Sequence, residues 1–188
     1  MLSVSPVCYS SCYFVMIELL QVRRSIRRYR PERLEAQIIE TLKEAVLRAP
    51  SSRGINPWEF IFVDDPELLA KLTKAKEHGA EFLDQAALGV VVCGDETKSD
   101  VWVEDCSIAA IILQLEAQSL GLGTCWIQIR NRKHDKSTTS EQYVQHVLNL
   151  PVHLKIECII SIGYPAETKK PHQKSSLEYE KIHLTTYK

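Results

Sequence analysis

The sequence predicts one sandwich of helices on a mixed β-sheet, of the α+β or α/β class. Three observations lead there. Helical and extended patterns follow one another in the order helix, helix, strand, helix, strand, helix, strand, helix, strand. The run ALGVVVCGD, ending at Gly94-Asp95, is continuously apolar, as suits a strand buried on both faces. From Ile108 to Leu115 the chain is apolar nearly all round, apart from Gln114. A helix of that kind sits at the centre of a domain or in a large subunit interface. A length of 188 residues suits one domain, or one domain that dimerises.

The elements follow in order. MLSVSPVCYSSCYFV, residues 1–15, is rich in Ser and Cys and carries no charged side chain. It reads as an extension of little structural value, with Met16 as the functional start; the alternative is a real but mobile arm. MIELLQV then begins as a helix on Ile17, Leu19, Leu20 and Val22. Leu34 to Ala49 is amphipathic, with Ile38, Leu42, Ala45 and Ala49 on one face, and Pro50 ends it. PSSRGINP is a turn-rich loop between two prolines. WEFIFVDD is a strand, closed by Asp64-Asp65-Pro66, which also starts the helix PELLAKLTKAK. Val101 to Gly121 is the long apolar helix, with Gly121 placed to end it. LGTCWIQI and IECIISIGY are strands, separated by a short helix around Ser140–Leu150. The tail from Pro165 is polar, and residues 16–188 read as a single domain.

Composition narrows the function classes. Apolar residues make up 45% and charged residues 25%, so there is material for a sizeable core. The net charge is −1, without the basic excess of a general nucleic-acid binder. No segment reaches the roughly 18 apolar residues that span a bilayer. Residues 1–15 lack the basic start of a secretory signal. Cys93, Cys106, Cys125 and Cys158 sit in or beside apolar runs, as buried free thiols do. Together these indicate a reduced, cytoplasmic setting with no membrane or nucleic-acid partner.

Positive charge is nevertheless concentrated in RRSIRRYRPER, which holds six arginines in eleven residues. Guanidinium groups grip phosphate oxygens two at a time, and Ser25 adds a hydroxyl. Each charge-assisted bond is worth about 1.5–3 kcal/mol. Taken alone, the run is either a phosphate site or a solvated face. Other phosphate signatures fail. GLGTCW has Trp126 where a dinucleotide fingerprint needs its third glycine, and it leads from a helix into a strand. SSRGIN lacks the Gly-Lys-Ser/Thr of a P-loop. No His or Cys pair has metal-ligand spacing, so no metal is expected.

Read together, RRSIRRY, APSSRGINPWEF, WVEDCSIAAIILQLEAQSLGLGTCW and IISIGYPAE occur in that order. This resembles the nitroreductase family of flavin mononucleotide (FMN) enzymes, over about Met16 to Glu167. The resemblance implies an α+β fold, a mixed sheet flanked by helices, in an intertwined homodimer with FMN at the interface. It implies that Arg23, Arg24 and Ser25 hold the FMN phosphate and ribityl chain. Arg27 matches the basic residue near flavin N1, where positive charge favours the reduced form. Pro50, Ser51, Ser52, Arg53 and Asn56 match a loop lent by the other subunit. Leu122, Gly123 and Thr124 match the segment beside the ring near N5, where a glycine permits close backbone approach.

The family's phosphate-completing Arg after the GYPAE-like turn is absent. Lys174 is the best positional replacement, with Lys170 behind it, although a Lys cannot form the same fork. Cys125 is expected to be a buried structural thiol. The implied activity is hydride transfer from NADH or NADPH, through FMN, to a small electron-poor acceptor such as a nitroaromatic or quinone. The resemblance identifies no acid–base residue. Two other readings stand beside it: a protein that binds FMN without turnover, and an anion- or RNA-binding module using the arginines.

Overall fold

In the computed structural model, which describes residues 16–187, a four-stranded sheet lies between two layers of helices. The strands are β1 (Trp58–Val63), β2 (Leu88–Asp95), β3 (Gly123–Gln128) and β4 (Leu154–Gly163). The helices are α1 (Met16–Val22), α2 (Ala36–Leu47), α3 (Pro66–Leu72), α4 (Trp102–Ser119) and α5 (Ser140–Leu148). Residues 1–15, expected to be an extension, lie outside the described residues.

The sheet order is β1-β2-β4-β3, and every neighbouring pair is antiparallel. Parallel pairing enters only as an isolated bridge between Ser25 and Thr124 among the described residues. All of β2 is buried, and its side chains alternate between two cores. Val91 and Cys93 face α3 and α5, with Leu69, Leu72, Leu83 and Val144. Leu88, Val90 and Val92 face α2 and α4, with Leu42, Val46, Ala110 and Leu113. Two covered faces explain why the strand reads as an unbroken apolar run.

Local chemistry sets the helix ends. Asp65 caps α3 by accepting from Leu68 N at 2.9 Å, and Pro66 occupies the first turn, where it costs no hydrogen bond. Thr139 and Gln142 form a reciprocal capping box on α5. Helix α4 ends at Gly121, whose φ of +75° only glycine adopts freely. There Leu122 N donates to Ala117 O (2.9 Å) and Gly121 N to Gln118 O (3.1 Å), the six-to-one and five-to-two pair of a Schellman stop.

Helix α4 packs Cys106, Ala109, Ala110, Leu113 and Ala117 inward. Its outer side leaves Ile108 40% and Ile111 38% exposed. Neighbouring α1 buries Leu19 but leaves Met16 57%, Ile17 56% and Leu20 50% exposed. Two adjoining helices thus each carry exposed apolar side chains.

Candidate functional site

After α1, residues 23–30 run as an extended segment along the ends of β3 and β4. On one side Ile26 N donates to Thr124 O at 2.9 Å, and Ser25 bridges Thr124. On the other side lies the chain that follows β4. Arg30 N donates to Tyr164 O (2.8 Å) and Ala166 N to Arg28 O (2.9 Å). Arg27 N donates to Glu167 Oε1 at 2.6 Å, and Lys169 Nζ to Ser25 O at 2.7 Å. The Arg24 guanidinium reaches the carbonyl of Lys170. The arginine segment is thus clasped between β3 and residues 164–170.

Two buried side chains nail it down. Ile26 and Tyr29 point into the core, and each crosses a glycine. A Cβ at Gly123 would lie 2.8 Å from Ile26, and one at Gly163 would lie 2.9 Å from the Tyr29 ring. Tyr29 Oη donates to Ile26 O at 2.6 Å and is hydrogen-bonded to Ser161 Oγ at 2.7 Å. Burial pushes the Tyr29 phenol well above its ordinary range, so it stays a neutral donor. With Ile26 and Tyr29 turned inward, Arg27 and Arg28 are left exposed, and Arg23, Arg24 and Ser25 half-buried.

The charges converge at the start of β3. Burial raises the pKa of Cys125, while Arg27, Lys169 and Arg23 pull it the other way, helped by a hydrogen bond with Ser25. The thiol is 1% exposed and free, as a buried structural cysteine is. Glu167 is the counterweight. The Arg27 N–H holds its carboxyl below the usual range, and the Lys169 ammonium 3.4 Å away adds to that. Beside this cluster opens a cavity of about 550 Å³, lined by Arg27, Arg28, Tyr29, Glu81, Phe82 and neighbours. The Arg27 guanidinium lies 5.7 Å from the centre of the Phe82 ring.

The loop after α2 is a second construction. Arg53, Gly54 and Asn56 all have φ between 53° and 66°, a strained choice for the two residues that carry a Cβ. Ser51 Oγ donates to Asn56 Oδ1 at 2.6 Å and accepts from Asn56 N at 2.9 Å. Ser52 N donates to Asp105 Oδ1 at 2.8 Å, and Arg53 pairs with Asp100. Asp105, in the first turn of α4, is 2% exposed; its Oδ2 has no hydrogen-bond partner among the described residues. Pro50 is exposed at the loop's start. Among the described residues, no hydrogen bond or ion pair joins this loop to the arginine segment of the same chain.

Arg23, Ser25 and Arg27 are therefore brought together, with Arg24 tied to the same clasp. Leu122 and Thr124 are buried, and the Thr124 hydroxyl donates to Gln114 Oε1 at 3.3 Å, so their side chains belong to the core. The close approach at Gly123 is that of Ile26. Lys174 opens the exposed turn Lys174–Ser176, whereas Lys169 places its ammonium on the arginine segment. Lys169, Glu167, Tyr29 and Asp105 escape sequence reasoning. Only Asp105 carries a local signal, as one of two adjacent acids, with Glu104, in the first turn of a largely apolar helix. Among the described residues no group of His, Cys, Asp or Glu is placed to hold a metal ion, and no helix is long and apolar enough to cross a membrane.

The half-buried donor set of Arg23, Ser25 and Lys169, with Arg27 beyond it, suits a ligand carrying a phosphate at one end. The Nitroreductase family model matches residues 20–91 and 73–164. The structure of an FMN-dependent nitroreductase from Clostridium difficile R20291 superposes with a TM-score of 0.90 at 45% identity, covering 91% of this chain and 99% of that one. A protein of Archaeoglobus fulgidus, provisionally named an NADH dehydrogenase/NAD(P)H nitroreductase, is 33% identical over 157 residues, 81% of this chain and 87% of its own. An FMN reductase (NADPH) of Bacillus subtilis is 27% identical over 194 residues, 91% of this chain and 74% of its own. With the three-layer sandwich and these matches in agreement, the chain belongs to the nitroreductase family.

Proposed function

We propose that the protein is an FMN-dependent oxidoreductase that takes hydride from NADH or NADPH and delivers it to a small electron-poor acceptor, a nitroaromatic or quinone. The observation that carries this reading is the convergence of Arg23, Ser25, Arg27 and Lys169 at the start of β3. FMN, when bound, supplies the centre that accepts and then donates hydride.

The chain's own residues bind and orient. Arg23, Arg24 and Ser25 take the phosphate end, and Lys169 fills the place that sequence position suggested for Lys174. Lys169 offers a point charge where a guanidinium would offer a fork. Arg27 supplies positive charge beyond them, on the wall of the 550 Å³ cavity. Donor and acceptor using that opening in turn would give ping-pong kinetics. The loop Pro50–Asn56 serves the site of a second copy, consistent with its lack of bonds to the arginine segment of its own chain.

The purified protein should be yellow, and NADH or NADPH should bleach it without air. FMN binding without bleaching would support the non-catalytic alternative. A colourless protein that does not take up FMN would sink the flavin reading.

The exposed apolar side chains of α1 and α4 support a homodimer, since obligate interfaces are large and apolar. Sedimentation at micromolar concentration should give twice the 21.4 kDa chain mass. A monomer that retained FMN would overturn both the dimer and the shared loop.

A further inference from the structure

Glu167 sets a carboxylate among cations. Its Oε1 is 2.6 Å from Arg27 N and 3.4 Å from Lys169 Nζ, and its side chain is 21% exposed. The carboxylate thus sits against the Arg27 backbone and beside the Lys169 ammonium, on the segment that clasps the arginines. Partial burial limits screening by salt, so its field persists there. A neutral acceptor would satisfy the Arg27 N–H as well, so the negative charge is more than the hydrogen bond requires.

We propose that Glu167 is a redox-setting residue of this site, offsetting part of the positive field of Arg27 and Lys169. The inference rests on the FMN reading and goes beyond it. Reduction adds negative charge to the bound flavin. The arginine side favours that added charge, and the Glu167 carboxylate opposes it. Glu167 thus holds the flavin potential lower than the cations alone would set it, making the reduced protein a stronger donor towards its acceptor.

The experiment compares Glu167→Gln and Glu167→Ala with the unsubstituted chain, measuring FMN affinity in the oxidised protein and the midpoint potential at one pH. Gln keeps an acceptor for Arg27 N and removes only the charge. Glu167→Gln should raise the ratio of reduced to oxidised affinity about three- to tenfold; tenfold corresponds to 29.6 mV for a two-electron couple. Oxidised affinity should change less than the ratio does. Glu167→Ala should show the same rise in ratio together with weaker binding of both states, because the Arg27 N–H loses its partner. An unchanged or lowered potential in Glu167→Gln would overturn the inference, even with FMN bound normally. Failure of the unsubstituted chain to bind FMN is a different result, and it overturns the functional reading itself.

Discussion

Gly123→Ala should lower stability by about 1–3 kcal/mol, the scale of an overpacked core, and should weaken FMN binding as well. The added Cβ would lie 2.8 Å from Ile26 Cβ and Cγ2. Ile26 is β-branched, so it has few rotamers to retreat into. It is also buried, with its N–H bonded to Thr124 O at 2.9 Å. The contact is relieved only by lifting residues 23–28 off β3, and that movement carries Arg23, Ser25 and Arg27 with it. Fold and site therefore fail together.

Two comparisons isolate the cause. Gly121→Ala meets nothing within 4 Å, although its φ of +75° is unfavourable for alanine. It should cost about 1 kcal/mol, the usual strain of a left-handed residue, and leave FMN affinity alone. Ile26→Ala opens the space that the new Cβ needs. The double variant should therefore be more stable than the sum of the single effects, by more than the roughly 0.5 kcal/mol that independent sites allow. Denaturant melts of the unsubstituted chain and the four variants, with FMN titrations of each, measure this. Simple additivity would mean that Gly123 is not required by Ile26.

Much of the scaffold was legible because its signals are local. Pro66 and Asp65 mark the start of α3, and Gly121 marks the end of α4. The run from Leu88 to Asp95 reads as a doubly covered strand. Strand direction was not legible, since a strand buried on both faces carries the same pattern in either orientation. The site divides in the same way. The arginines announce themselves by composition, but their clasp is made of pairs about 140 residues apart, such as Arg27 with Glu167 and Ser25 with Lys169. No local pattern distinguishes Lys169 from Lys170 or Lys174. Gly123 could be read as room for a ligand, and only the packing of Ile26 shows what fills it. Asp105 stood in view within α4, but its bond to Ser52 N depends on how the loop folds back.

Arg23→Ala and Arg27→Ala should fail in different ways. Arg23 follows α1 directly, with its N–H on Leu19 O at 2.9 Å and its side chain half-buried beside Ser25. If it holds the phosphate, whose charge is the same in both redox states, its loss weakens oxidised and reduced FMN alike. The expected cost is about 2 kcal/mol for a charge-assisted contact, roughly 30-fold in affinity, with the midpoint potential unchanged. Arg27 is exposed on the cavity wall. Its backbone N–H is already committed to Glu167, so the substitution leaves the clasp standing and removes only the guanidinium. If that charge faces the end of the flavin that gains negative charge, the reduced form loses more than the oxidised form. The potential should fall by a few tens of millivolts, since about 30 mV corresponds to 1.4 kcal/mol for a two-electron couple. This shift is opposite in sign to that expected of Glu167→Gln. FMN titrations in both redox states decide the matter. A potential moved by Arg23→Ala and untouched by Arg27→Ala would reverse the two roles. Undiminished FMN affinity in both variants would return the cluster to a solvated face, held in place by Ile26 and Tyr29 for reasons of packing alone.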